Sequence, residues 1–120
     1  FYEIDEKIEQ VISPGKVNLL TMHQAKGLTS DVVIIPVTED EVIPGKNLEF
    51  EKIGDERRLL YVSLSRACHH LYISYCINRV SDPQKYLGRN PGNPRRHLTR
   101  FLTDSPLIPI WGDDVLDNFQ

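Results

Sequence analysis

Two nearly continuous apolar runs constrain the fold of this chain most strongly. Residues 17–22 and 31–37 consist mainly of β-branched and other aliphatic side chains, and only a short segment separates them. Runs of this kind are typical of strands covered on both faces in a parallel sheet, because a one-sided strand alternates apolar and polar residues. We therefore expect a central, mainly parallel sheet. The short connection leaves open whether these two strands are neighbours.

A helix and a third strand are predicted after an acidic connection. The sequence DERRLLYVSLSRA, residues 55–67, has an acidic first turn and apolar side chains nearly all round its circumference, which predicts a helix buried between layers. Residues 71–76 predict another strand, and residues 3–11 have the apolar spacing of a short helix. This order of elements predicts an α/β fold in which helices flank the sheet.

Composition suits one globular domain. The chain has 120 residues, of which 40% are hydrophobic and 26% are charged. No apolar stretch approaches the roughly 20 residues that span a bilayer, so we expect no membrane protein. The start at Phe1 without a secretory signal suggests a piece of a longer, cytoplasmic protein. Cys68 and Cys76 lie in apolar surroundings and are expected to be buried, reduced thiols.

Positive charge is concentrated near the end of the chain. The net charge is −3, but residues 77–100 carry a single acidic group, Asp82, among six basic ones: Arg79, Lys85, Arg89, Arg95, Arg96 and Arg100. Such a segment is either a solvated surface or a track for a phosphate backbone, and the sequence leaves both roles open. Proline and glycine mark residues 83–94 as a loop, after which residues 97–103 predict a short closing helix.

The residues after Met22 are candidates for ligand binding. His23, Lys26 and Gly27 follow the first apolar run, and in open α/β sheets ligands gather beyond the carboxyl ends of strands. Lysine supplies a point charge for phosphate, and glycine lets the backbone approach a ligand closely. From the sequence alone, however, a lone histidine or lysine at a strand end is more often structural or solvated than functional.

Arg66 is the second candidate, at the far end of the predicted helix. It follows the small residues Ser63 and Ser65, which leave its side chain room to extend. A guanidinium in apolar surroundings needs an anionic partner, because burying an unpaired charge is costly. The spacing alone does not distinguish an external phosphate from a structural salt bridge or a helix C-terminal charge. His69 and His70 adjoin on a predicted strand and point to opposite faces, so we expect no shared metal site.

Taken in order, these segments resemble a known family. TMHQAKGL, the strand DVVIIPV, an acidic connection with Ile43-Pro44, and DERRLLYVSLSRA followed by an apolar strand are similar to motifs V and VI of the UvrD/Rep/PcrA-type superfamily 1 DNA helicases. The resemblance is strong over residues 17–76 and extends weakly through Arg100-Phe101-Leu102. It implies that residues 1–120 form a single unit, the C-terminal portion of the second RecA-like domain: a core at 17–76, a basic loop at 77–97, and a closing helix and tail at 98–120.

The resemblance also assigns roles to individual residues. Arg66 matches the motif VI arginine finger, which reaches the γ-phosphate of ATP. Lys26, Gly27 and Thr29 match the segment that leads to the nucleotide. Thr21 and His23 match the side that faces single-stranded DNA, and the basic loop adds Arg89, Arg95 and Arg96 as further expected DNA contacts. The implied partners are single-stranded or duplex DNA and the first RecA-like domain of the same chain. In the intact protein, ATP and Mg²⁺ are expected to be held mainly by that first domain.

Two departures from the family pattern keep an alternative open. Thr29 stands where the family commonly has a glutamate that contacts the ribose. No GxxxxGK[ST] phosphate loop and no acidic Mg²⁺-binding motif occur in the 120 residues, so we expect this piece alone to be unable to hydrolyse ATP. The alternative is a non-enzymatic, helicase-derived module that binds DNA or a protein partner.

Overall fold

A two-stranded parallel sheet and one long helix form the centre of the fold. The computed structural model describes residues 13–46, 48–81, 88 and 92–118. Its elements are, in chain order, strand β1 (Ser30–Ile35), a π-helical turn (Glu41–Gly45), helix α1 (Phe50–Leu64), strand β2 (Ala67–Ile73) and helix α2 (Gly112–Asn118). Strands β1 and β2 pair in parallel, with α1 in the connection between them. The predicted α/β class and parallel pairing are confirmed.

The register of the sheet decides which loops meet. Ser30 lies opposite Ala67 and Ile35 lies opposite Ile73, with an irregularity between Ser30 and Val32. Because the strands are parallel, their amino termini lie at the same end of the sheet. The segment that enters β1 and the last turn of α1, which enters β2, are therefore neighbours.

The hydrophobic core joins α1 to segments from both halves of the chain. Its buried members are Ile43, Leu60 and Leu102. The partly buried side chains that pack against them are Met22, Val42, Leu64, Ile73, Leu98 and Phe101. Leu98, Phe101 and Leu102 all follow the basic loop, so the closing segment is part of the core and not an appendage to it.

The prediction that both apolar runs form strands covered on both faces is wrong. Residues 17–20 form no strand, and Val17 and Leu19 are 90% and 92% exposed. Residues 31–37 do supply β1, but Ile34 is 64% exposed. The physical reason is that β1 and β2 pair only with each other among the described residues, so residues 17–20 have no neighbouring strand there to complete a ladder.

The helix and the third strand both begin earlier than predicted. Helix α1 starts at Phe50 instead of residue 55, and β2 occupies residues 67–73 instead of 71–76. Only Leu60 and Ser63 of α1 are buried, whereas Phe50 and Tyr61 are 89% and 71% exposed. The predicted helix buried between layers is therefore a surface helix that packs along one stripe.

The closing helix is absent, and its place is taken by turns. Residues 100–104 form consecutive turns, and the helix near the end of the chain is α2. The Thr99 amide donates to the carbonyl of Thr38 at 2.9 Å, and the Arg100 amide donates to the Asp40 carboxylate at 2.7 Å. These amides bond to tertiary partners and not to carbonyls four residues earlier, which explains why a helix does not form.

Three further expectations concern the thiols, the chain start and the membrane. Cys68, on β2, and Cys76, beyond the end of that strand, are free thiols, but both are exposed, so the expected burial is wrong. The helix predicted at residues 3–11 lies outside the described residues. No helix in the described part of the chain has the length and apolar composition needed to cross a membrane.

Candidate functional site

The turn formed by residues 21–28 is built by reciprocal hydrogen bonds. The Thr21 amide donates to the Gln24 side-chain oxygen at 2.9 Å, and the Gln24 amide donates to the Thr21 hydroxyl at 3.1 Å. This is the geometry of a capping box. The Ala25 amide closes the turn on the Thr21 carbonyl at 3.0 Å. Gln24 was not singled out in the sequence, although the spacing T-x-x-Q is the signal that reveals it.

The capping box leaves His23 and Lys26 exposed on the turn. Gly27 then adopts a φ of +85°, and no atom lies within 4 Å of the position that a Cβ would occupy. A positive φ is where glycine is favoured over residues that carry a side chain. The backbone at Gly27 is therefore open to approach from solvent, beside the ammonium group of an adjacent lysine.

The Arg66 side chain is held at the carboxyl end of α1, and no carboxylate among the described residues pairs with it. Its Nε donates to the Val62 carbonyl at 3.0 Å, and one terminal nitrogen donates to the Ser65 hydroxyl at 3.3 Å. Arg66 is half-buried and forms no ion pair with any described residue. The guanidinium is thus oriented by neutral oxygens and retains its charge for an external anion.

A backbone hydrogen bond joins the turn to Arg66. The Ser30 amide donates to the Arg66 carbonyl at 3.0 Å. Thr29, the expected ribose-side residue, is exposed and directly precedes Ser30, so the structure brings the end of the turn beside the end of α1. The group lies at the amino ends of β1 and β2, which corrects the expectation that it would lie beyond the carboxyl end of a strand.

Two arginines of the basic segment, Arg79 and Arg100, form ion pairs with carboxylates of the same domain. We call Glu39, Asp40 and Glu41 the acidic trio. Their carboxylates contact the side chains of Arg79, Arg100 and His97, respectively. Two nitrogens of the Arg100 guanidinium donate hydrogen bonds to the Asp40 carboxylate, each at 2.9 Å. His97 Nδ1 lies 2.7 Å from a Glu41 oxygen.

Burial limits which basic residues are available to a phosphate backbone. Arg96 is 1% exposed, and a cation enclosed in this way does not present itself to a phosphate backbone, which corrects the expectation for Arg96. Arg95 is exposed, and its amide bonds to the Asn93 side chain at 3.0 Å. Arg89 and Lys85 lie outside the described residues.

The ion pairs shift the pKa values of their members. Burial by itself would raise the pKa of the Asp40 carboxyl, but the hydrogen bonds and charge of Arg100 outweigh it and leave the pKa below its ordinary value. Burial by itself would also raise the pKa of the Glu41 carboxyl. The hydrogen bonds from His97 outweigh this effect and leave the pKa lowered. Hydrogen bonds to Glu39 and Asp40 raise the pKa values of Arg79 and Arg100.

The two adjacent histidines have separate neighbours. His69 lies 3.1 Å from the exposed Asp31 carboxylate on β1, and the His70 ring stacks near that of Tyr72 with centroids 6.5 Å apart. No group of three potential metal ligands occurs within the described ranges.

Comparison with known proteins gives the family. The sequence model of the UvrD-like helicase C-terminal domain matches residues 3–78, the part of the chain that contains the turn, β1, α1 and β2. This chain belongs to the UvrD-like helicase C-terminal domain family. The predicted resemblance is confirmed.

Individual relatives agree with the family match. The chain is 34% identical over 121 residues to ATP-dependent DNA helicase Rep of Buchnera aphidicola, covering 98% of this chain and 17% of that protein. It is 32% identical over 120 residues to ATP-dependent DNA helicase PcrA of Bacillus subtilis, covering 98% and 14%. A probable DNA helicase II homolog of Rickettsia conorii is 42% identical over 96 residues, covering 77% and 14%. The chain therefore spans less than a fifth of the length of these relatives.

Proposed function

We propose that this chain is the C-terminal portion of the second RecA-like domain of an ATP-dependent DNA helicase. The observation that carries the proposal is the Arg66 guanidinium, which is oriented by the Val62 carbonyl and has no carboxylate partner in the described part of the chain. A charged group held in place but not neutralised is suited to an anion that arrives from outside the domain. Family membership over residues 3–78 supports the same proposal.

Arg66 is proposed to act as the arginine finger. During phosphoryl transfer, negative charge develops on the transferred group, and a guanidinium placed against it lowers the barrier. The Ser65 and Val62 hydrogen bonds limit the directions in which the side chain can extend. Pre-orientation of this kind reduces the entropy that is lost when the transition state forms.

Lys26, Gly27 and Thr29 are proposed to form the nucleotide side of the turn. The residues present fit a phosphate-bearing ligand, because an exposed lysine adjoins a glycine backbone with open space around it. ATP and Mg²⁺, held mainly by the first RecA-like domain, supply the phosphoryl group and neutralise its charge. Lys26, Gly27 and Thr29 of this chain are proposed to contact and orient the nucleotide from the opposite side of the cleft.

Thr21 and His23 are proposed to face the DNA. His23 is exposed on the turn, whereas the Thr21 hydroxyl already accepts the Gln24 amide, so Thr21 is more constrained in how it can contact a phosphate. Arg95 is the exposed basic residue from the described part of the loop, and Arg89 remains a proposed contact. We omit Arg96 from this DNA surface because of its burial.

The hydrogen bond from Ser30 to Arg66 suggests how the DNA and nucleotide sides communicate. A displacement of the turn around His23 is transmitted along the backbone to Ser30 and from there to the carbonyl of Arg66. Such coupling needs two arrangements of the turn with different affinities for DNA. The proposed setting is a cytoplasmic motor in which DNA and the first RecA-like domain are the partners.

The decisive experiment replaces Arg66 by alanine in the intact protein. We expect nucleotide binding to stay within a few-fold and ATP hydrolysis to fall by on the order of 10³, because the lost charge acts mainly in the transition state. Arg58→Ala is the matched control, since Arg58 lies on the same helix and pairs at the surface with Asp55. Hydrolysis that survived in Arg66→Ala would contradict the assigned role.

Thr29 favours the second candidate, a helicase-derived module without motor activity that binds DNA or a protein partner. In the resembling family a glutamate at this position contacts the ribose, and threonine is too short to make the same contact. The two candidates differ in one measurement on the intact protein. DNA-stimulated ATP hydrolysis supports the motor, whereas DNA binding with no hydrolysis supports the module.

A further inference from the structure

An open, mainly apolar groove lies beside the amino-terminal half of α1. Its volume is about 620 Å³, and its walls include Phe50, Ile53 and Gly54 from the helix and Phe101 and Ser105 from the closing turns. The Phe50 side chain is 89% exposed. Docking of another apolar surface in such an open apolar concavity is favourable, because it removes apolar area from water.

The groove also offers one available cation. Arg57 and Arg100 both line it, but Arg100 is already held by two hydrogen bonds to Asp40. The Arg57 side chain is exposed and makes no hydrogen bond or ion pair with any residue that the structure describes. The groove therefore suits an occupant that combines apolar side chains with negative charge, despite one acidic residue, Asp104, on its wall.

The end of the same chain has that combination. We call residues 106–118 the tail. Apart from Val115, which is partly buried, its large apolar side chains are more than half exposed: Leu107 57%, Ile108 85%, Ile110 69%, Trp111 69% and Leu116 63%. Its three charged residues are all acidic: Asp113, Asp114 and Asp117. A solvent-exposed cluster of this kind indicates an interaction surface.

The tail leaves its own groove unfilled. It begins directly after Ser105, on the groove wall, and residues 107–111 have no regular structure. Pro106 and Pro109 restrict the backbone of the residues before them to extended conformations, which disfavours a sharp return. In the single chain Trp111 is 69% exposed, and no residue of the tail lines the groove.

We propose that the tail of one copy of this chain docks in the groove of a second copy. Ile108, Ile110 and Trp111 meet the apolar walls around Phe50 and Phe101, and the aspartates of the tail meet Arg57. Because each copy has one tail and one groove, two copies exchange tails reciprocally about a twofold axis, and both grooves are filled. The proposal does not depend on the ATP-related function, since Arg66 lies at the other end of α1.

The single tryptophan makes the proposal testable. Trp111 is the only tryptophan in the chain, so selectively excited tryptophan fluorescence reports on the tail alone. We expect the emission maximum to shift to the blue as the chain concentration rises, in parallel with dimer formation measured by sedimentation velocity. Tyr61→Ala, an exposed change on the same helix outside the groove, should leave both curves unchanged.

Charge reversal gives the sharpest test. Arg57→Glu should weaken self-association by at least about tenfold, and so should the double change Asp113→Lys with Asp114→Lys. Mixing these two variants should restore association, because each tail then meets a groove of opposite charge in the other copy. A mixture that fails to associate would overturn the proposal. So would a monomer at all concentrations, or a blue shift independent of concentration, which would place the tail in its own groove.

Discussion

The Ser30 amide donates a hydrogen bond to the Arg66 carbonyl at 3.0 Å. Ser30 follows the turn that carries His23, Lys26 and Gly27, whereas Arg66 lies between the end of α1 and the start of β2. These residues lie far apart in the sequence, and the parallel register of β1 and β2 brings them together. In the proposed helicase this bond links the DNA side and the nucleotide side.

The first prediction concerns the conformation of Gly27. Gly27→Ala should lower the free energy of unfolding by about 1 to 2 kcal/mol, because a side chain disfavours a φ of +85° even where space is open. Urea unfolding measures the change. Gly112→Ala is the control, since a Cβ there also meets nothing within 4 Å and the backbone has no positive φ. Equal effects of the two substitutions would contradict a conformational role for Gly27.

The second prediction concerns the buried ion pair of Glu39 and Arg79. Arg79→Met should destabilise the protein by roughly 3 to 5 kcal/mol, because it leaves a carboxylate that is 0% exposed without its cation. Adding Glu39→Gln should recover part of the loss by removing the buried charge. Chemical denaturation of both variants gives the comparison, and a double variant no more stable than Arg79→Met would argue against this explanation.

The third prediction concerns pH. The pKa values of Asp40 and Glu41 are lowered in the folded protein from ordinary values of 3.8 and 4.5. Groups with depressed folded pKa values stabilise the native state above their unfolded pKa, and this stabilisation is lost as the pH falls through the folded values. The free energy of unfolding should therefore be steady above about pH 5 and decline below about pH 4.

Substitution of one carboxylate tests the assignment of that acid dependence. Asp40→Asn should reduce the decline in stability below pH 4, as followed by thermal unfolding in acidic buffers. Asp55→Asn serves as the control, because it removes a carboxylate from an exposed pair with Arg58. If Asp40→Asn and the unmodified chain lost stability equally in acid, Asp40 would not contribute to the dependence.

The fourth prediction concerns the closing segment, which lies beyond the family match at residues 3–78. Leu102 is 8% exposed and belongs to the cluster of Ile43 and Leu60. Leu102→Ala should cost roughly 2 to 5 kcal/mol, through lost burial and the cavity left behind. Leu107→Ala, in the exposed tail, is the matched control. A Leu102→Ala variant as stable as this control would show that the closing segment is not part of the core.

Local patterns were sufficient to predict the parts of the site that depend on neighbouring residues. The apolar run DVVII predicted β1, and the apolar spacing from residue 55 predicted a helix with Arg66 at its end. Residues 17–20 show the limit of this reasoning, because an apolar run forms a strand only where another strand pairs with it. The bounds of α1 and β2 moved for the same reason, since tertiary contacts decide where an element ends.

By itself the sequence determined the family, the glycine turn, one strand and the helix that precedes Arg66, because each rests on short-range spacing. Only the tertiary structure decided the fate of the basic segment. Arg100 and Asp40 are 60 residues apart, and Glu41 and His97 are 56 apart. No periodicity links residues at such separations, so their pairing depends on packing of the closing segment around Leu102. Arg79 and Arg100, two of the charges that resembled a DNA track, thereby became partners of the acidic trio.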